Sequence, residues 1–211
     1  RVQLKGGEYP AYVEGALEGA ALAGLRSDLA TLLDRPGWRD EDKTARAAAV
    51  LHVAEGAPWR VLQALMQAGA GEGVRDYLFQ RADPAWQAQS GPVEFQLPRD
   101  AGLGARPRAP LRTLEVVVTH RPERGVRVRL QIRTNDGTVR TPSGAGRTWT
   151  VEEAIQVLQN GLVSADRAVV KTPPPFGGGV DAHSVIRLID ALKRAGIETI
   201  ELEGTPLPPP R

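Results

Sequence analysis

The sequence predicts an α/β (α+β) protein built as two small two-layer domains, each a mixed sheet with two helices on one face. Short apolar runs of strand length alternate with longer stretches of helical period, the pattern of sheet covered by helix. An order ββ(β)αβαβ reads through the second half, and its ending recurs in the first. Between them lies PRDAGLGARPRAP at 98–110, with three prolines and two glycines. That density disfavours helix and ladder alike and marks a linker. The expected organisation is therefore a first domain over 1–97, a linker over 98–110, a second domain over 111–204 and a proline-rich tail over 205–211.

In the second half, residues 115–118 and 126–132 read as strands. Val126, Val128, Leu130 and Ile132 alternate with Arg127, Arg129 and Gln131, as a half-buried strand requires. Asn135-Asp136-Gly137 is a turn signal, and 137–141 is a candidate third strand. Thr150 followed by Glu153 has the form of a capping box. Apolar Val151, Ala154, Ile155, Leu158 and Leu162 then line one face of a helix. Residues 168–172 form a short apolar strand. Val185, Leu188, Ile189 and Leu192 mark a second helix that stops at Gly196, and 199–203 closes the unit.

The first half offers 2–5 and 11–14 as strands and a helix carrying Leu22, Leu25, Leu29 and Leu32. It continues with a strand at 48–53, a helix over 59–68 stopped by Gly69, a strand at 74–79, and an edge strand at 93–97. Laid over the second half, Leu65-Met66-Gln67-Ala68-Gly69 falls on Leu192-Lys193-Arg194-Ala195-Gly196.

Composition excludes several classes. The 211 residues hold no cysteine, which removes disulfides and thiolate zinc sites. No run approaches the ~18 apolar residues of a membrane-spanning helix. Residues 1–97 carry 10 basic and 13 acidic side chains, whereas 98–211 carry 17 and 12, an asymmetry that suits two units with different surfaces. Opening on Arg1 without an apolar leader, the chain reads as a piece of something longer.

No catalytic constellation stands out, so the expectation is not an enzyme, with no cofactor. His52, His120 and His183 show no ligand spacing, and no metal site is expected. Glu152 and Glu153 suit the first turn of a helix, where negative charge meets the dipole. Asp181 reads as another cap and Asp190 as a solvated side chain. None of the serines lies in a Gly-x-Ser-x-Gly elbow.

Candidate partner-binding residues remain. The loop TPPPFGGGVD at 172–181 lacks the Gly-Lys-Ser/Thr of a nucleotide loop. It is longer than its counterpart at 54–58, which marks it as a contact surface with Phe176 and Gly177 within it; Phe176 itself reads as a buried plug, with an exposed anchor as the alternative. Trp86 reads as a surface anchor. Arg127 and Arg129 belong to the arginine-rich stretch 121–133, read either as a solvated sheet face or as a site for an acidic partner. Trp59 and Trp149 sit where helices begin.

The run ADRAVVK at 165–171, Phe176-Gly177, and VIRLIDALKRAGIETI at 185–200 resembles the periplasmic domain of the ExbD/TolR family. The likeness extends over about 126–204 and more faintly over 50–53, Pro58-Trp59 and 61–69, where Ala70 stands for the family's Ile. The resemblance implies the periplasmic, partner-binding part of an ion-driven inner-membrane motor or biopolymer-transport complex. It implies an ExbB/TolQ/MotA-like channel subunit reached through an anchor helix outside these residues, and an envelope protein or peptidoglycan as the force-receiving partner. Location in the periplasm, attached to the inner membrane, follows from the same likeness.

Two departures accompany it. The chain has no transmembrane helix to carry the ion-relaying carboxylate, and two copies stand in tandem where the family has one. A tandem pair joined by a short linker suggests an internal pseudo-dimer, or else a homodimer. The alternative function is a nucleic-acid or acidic-polymer adaptor using 121–133. Nucleic acid is not the expected partner, because aromatic stacking residues are missing there.

Overall fold

The structure is a computed structural model that describes residues 2–4, 7–9, 19–41, 44–46, 48–54, 56–81, 92–96, 112–142, 146–173 and 179–203. Its elements fall into two compact units, one within 1–97 and the other within 98–205. Each holds a mixed sheet and two helices. The proline-rich seam at 98–110, the candidate strand at 11–14 and the tail at 205–211 lie outside the described residues.

The second unit contains β6 (Arg112–Arg121), β7 (Gly125–Thr134), β8 (Val139–Arg140), α3 (Val151–Gln159), β9 (Arg167–Lys171), α4 (Ala182–Arg194) and β10 (Thr199–Glu203). The strands lie in the order β10-β9-β6-β7-β8. β6 pairs antiparallel with β7 and parallel with β9, while β10 runs parallel to β9 on its far side. Alternation puts Leu114, Val116 and Val118 of β6, Val128 and Leu130 of β7, Ala168 and Val170 of β9, and Ile200 of β10 on one face, all buried. Val151, Ala154 and Leu158 of α3 and Val185, Ile186, Leu188, Ile189 and Leu192 of α4 are buried too. Removing an aliphatic side chain of this size from water contributes about 1.5–3 kcal/mol.

Local chemistry starts both helices. Thr150 and Glu153 form the reciprocal capping box, with Glu153 N donating to Thr150 Oγ1 at 3.2 Å and Thr150 N to Glu153 Oε2 at 2.8 Å. Asp181 caps α4 by accepting from Ser184 N at 2.9 Å. Trp149 is buried and exchanges backbone hydrogen bonds of 2.8 Å with Val128, which ties the start of α3 to β7.

The first unit contains β1 (Val2–Leu4), β2 (Gly7–Tyr9), α1 (Gly19–Leu33), β3 (Ala49–Val53), α2 (Trp59–Gly71), β4 (Asp76–Arg81) and β5 (Val93–Gln96). β1 and β2 pair only with each other, while β3-β4-β5 form the mixed sheet, β3 parallel and β5 antiparallel to β4. Tyr77, Phe79, Val93 and Phe95 are buried on its inner face, and Leu25 of α1 packs with Ala68 of α2.

The structure corrects three local expectations. α3 ends at Gln159, Gly161 turns the chain at φ 68°, and Leu162 is 62% exposed instead of lying on the inner helix face. Gly69 does not stop α2, which continues to Gly71. The residue that turns the chain there is Gly73 at φ 90°, matching Gly196 at φ 83°. Val74 N bonds to Gly69 O at 2.8 Å, as Ile197 N bonds to Leu192 O at 3.1 Å. Gly69 therefore corresponds to Leu192, and Val74 takes the place of Ile197. The sequence overlay had slipped by one helical turn, a shift that preserves the i, i+4 apolar pattern and so leaves no trace in it.

Gly69 has another role. A Cβ there would meet the Tyr77 hydroxyl at 2.5 Å, whereas one at Gly71 would meet nothing. That hydroxyl donates to Met66 O at 2.8 Å, with Val74 O at 3.2 Å as the other acceptor, and burial pushes its pKa well up. Gly69→Ala is expected to destabilise the first unit by about 1–3 kcal/mol through overpacking. Gly71→Ala is expected to be neutral or to stabilise by about 0.5 kcal/mol. In urea unfolding, Gly69→Ala combined with Tyr77→Phe should cost less than the two single changes together.

Candidate partner-binding site

The helix-free face of the second sheet carries the arginines singled out in the sequence. Arg127, Arg129 and Arg133 project from alternate positions of β7, away from the face of Val128 and Leu130. Arg121 closes β6 in the same alternation as Glu115 and Val117, whereas Arg124 belongs to the β6–β7 turn, where its N bonds to Arg121 O at 3.1 Å.

Neighbouring strands supply opposite charge to this face. Glu115 of β6, only 13% exposed at its side chain, accepts from Arg133 Nε at 3.2 Å and Lys171 Nζ at 3.4 Å. Lys171 also meets Glu203 Oε2 at 2.8 Å. Arg167 reaches Thr113 Oγ1 at 2.8 Å and Glu201 Oε1 at 3.3 Å. Burial opposes ionisation of Glu115, but hydrogen bonds and charge from Arg133 and Lys171 outweigh it and hold the carboxyl below its usual range. The hydrogen bond to Glu203 raises the Lys171 pKa against its own desolvation. Val117 and Thr113 are buried between the stems of these long side chains. The face is a lattice of both signs, not a basic stripe.

Elsewhere in the second unit, Glu152 of α3 meets Arg187 of α4 at 2.7 Å, and this hydrogen bond lowers the Glu152 pKa. Asp190 pairs with Arg194 one turn on at 3.0 Å. Phe176, Gly177 and Trp86 lie outside the described residues. Among the described residues no group of three His, Asp or Glu side chains converges to hold a metal ion. No helix among them is long and apolar enough to cross a membrane.

A different surface emerges in the first unit. An apolar groove of about 270 Å³ runs beside β3. Leu25, Leu29, Leu32 and Leu33 of α1 form one wall, Ala49 and Leu51 of β3 the other, and Tyr77 and Val74 close it below. Val50 on the strand is 47% exposed and Trp38 at the rim 37%. Among the described residues no strand pairs with the outer edge of β3.

The second unit shows what that position holds when filled. β3-α2-β4 corresponds to β9-α4-β10, and both helices have 13 residues. Beside β9 stands β6, with Leu114 opposite Ala168 and Val116 opposite Val170. No described strand takes that place beside β3, whose residues Ala49, Val50 and Leu51 line the groove. Sequence reading missed it, because candidate strands at 2–5 and 11–14 stood ready to flank β3.

No protein-family model matches the chain, and no curated protein matches it.

Replacing Glu115 by Gln is expected to lower stability by about 1 kcal/mol near neutral pH, since it removes the shared partner of two cations. Because the folded pKa of Glu115 lies below its ordinary 4.5, its contribution is present above that value and is lost as pH falls through the folded pKa. Urea midpoints of the two proteins should therefore converge in acid.

Proposed function

We propose that this chain is a non-catalytic partner-binding module that captures an extended segment of another protein by strand addition beside β3. The observation that carries the reading is the edge of β3, which lines an apolar groove and, among the described residues, lacks the partner that β6 provides to β9 in the second unit. Main-chain hydrogen bonds along the edge would supply affinity, and the groove would select aliphatic side chains at alternate positions.

The occupant is thus an extended segment with the character of β6: no proline in the paired stretch, and Val, Ile or Leu at every second residue. The setting we infer is the periplasmic side of an ion-driven inner-membrane motor or biopolymer-transport complex. What supports that setting is the resemblance of 165–200 to the ExbD/TolR family, together with an order of elements in which both helices cross between strands. In it, force from an anchored channel subunit would be passed along the captured strand to an envelope partner.

The experiment adds a synthetic peptide of the β6 sequence TLEVVVTH to the full chain and follows amide hydrogen exchange. Protection at Val50, Leu51 and His52 is expected to rise by about tenfold or more. Val50→Lys, at an exposed position, should abolish the effect without unfolding the unit, because a charge on an edge strand blocks pairing. Unchanged protection at these residues would refute strand capture. For the motor setting, a photocrosslinker at Val50 in living cells should yield a partner adduct that diminishes when the ion gradient is collapsed; an adduct indifferent to the gradient would overturn that setting alone.

A further inference from the structure

At the far end of the second sheet the helix-facing side breaks its own pattern. The rows that place Leu114, Val116 and Leu130 under the helices end in Arg112, opposite Thr134, and in Arg140, opposite Ile132. α3 has stopped by then, and the loop that follows it brings Leu162 and Ser164 to the same place. Together they line a cavity of about 460 Å³, within the size range of small-molecule sites.

Arg39, Arg46, Arg133, Arg167, Arg187 and Arg194 each meet a carboxylate. Arg112 and Arg140 have no such partner among the described residues. Asp136 also lines the cavity and accepts from the Thr134 hydroxyl and from Thr138 N, while Asp166 accepts from the backbone N of Arg112 at 2.7 Å. Arg112 and Arg140, both exposed, share the lining with Thr141 and Ser164, so two arginines stand against one engaged carboxylate. Ile132 and Leu162 form an apolar shelf beside them, and Leu162 is 62% exposed.

We propose that this cavity binds a small amphipathic oxyanion, its carboxylate or phosphate head held by Arg112 and Arg140 and its apolar tail laid on Ile132 and Leu162. A guanidinium offers paired N–H donors that match two oxygens of such a head, and a charge-assisted pair is roughly twice as strong as a neutral hydrogen bond. The shelf adds tail burial that a bare inorganic ion cannot use. The site belongs to the second unit and stands independently of strand capture by β3.

The test is a titration of the full chain, followed by amide NMR, with hexanoate, hexyl phosphate, hexanol and inorganic phosphate. Saturable shifts at Arg112, Arg140 and Leu162 are expected with hexanoate or hexyl phosphate, and the tighter of the two identifies the head group. Hexanol, lacking charge, should bind about tenfold more weakly or worse, as should the Arg112→Gln and Arg140→Gln variants with the charged ligands. Leu162→Ser should weaken the tailed ligands while leaving inorganic phosphate unchanged. Equal binding of hexanol, unsaturable shifts spread over the surface, or full affinity in both arginine variants with their spectra otherwise intact would overturn the proposal.

Discussion

Strand β6 is hydrogen-bonded along both edges, and the second unit depends on that double pairing. On one side it meets β7 antiparallel, and on the other it meets β9 parallel. It therefore joins a local hairpin to a strand–helix–strand crossover that begins more than forty residues later. Buried backbone N–H and C=O groups require partners, so a central strand has to be satisfied twice while also covering a face. Leu114, Val116 and Val118, all without solvent exposure, show that the covering is complete. In the first unit the corresponding edge of β3 is unpaired among the described residues. The pressure to satisfy an exposed edge and an apolar groove is the physical basis for reading that unit as a receptor for a strand.

The two faces of the second sheet follow different logics. The helix-covered face is aliphatic until its end, where Arg112 and Arg140 interrupt it. The open face is ionic but balanced, because Glu115, Glu201 and Glu203 come from β6 and β10 to stand among arginines and a lysine of β7 and β9. Mixed charge keeps such a face solvated and discourages unspecific pairing. It also weakens the single-sign field around Arg133, Arg167 and Lys171. Arg112 and Arg140 differ in lining a cavity with no carboxylate partner among the described residues.

The units also show how one plan tolerates different local means. α4 begins on the Asp181 cap and ends in a basic last turn, whereas α2 begins after Pro58 with no side-chain cap. Proline there suits an extended residue before a helix, and the buried Trp59 anchors the first turn by packing. Both helices nevertheless finish on a left-handed glycine followed by a buried aliphatic residue, Val74 or Ile197. A cap and a packed tryptophan are interchangeable starts. The reversal at the end has fewer solutions, because few residues other than glycine adopt positive φ without strain.

Much of the architecture was legible in residue order. The alternation in β7, the Thr150–Glu153 box, the spacing of Val185, Leu188, Ile189 and Leu192, and the glycine after α4 each express covalent geometry acting over a few neighbours. Tertiary structure alone decided which turn of α2 matches which turn of α4, because a slip of four residues leaves an apolar stripe unchanged. It decided that Leu162 faces solvent, since the length of α3 depends on what the helix packs against. It also brought Arg112 and Arg140 to one cavity and Thr113 beside Arg167, the latter 54 residues apart in the chain. Local periodicity tells which side of an element is apolar. Only the pairing of distant strands, fixed by the closing of the whole core, says which polar groups are left facing one another.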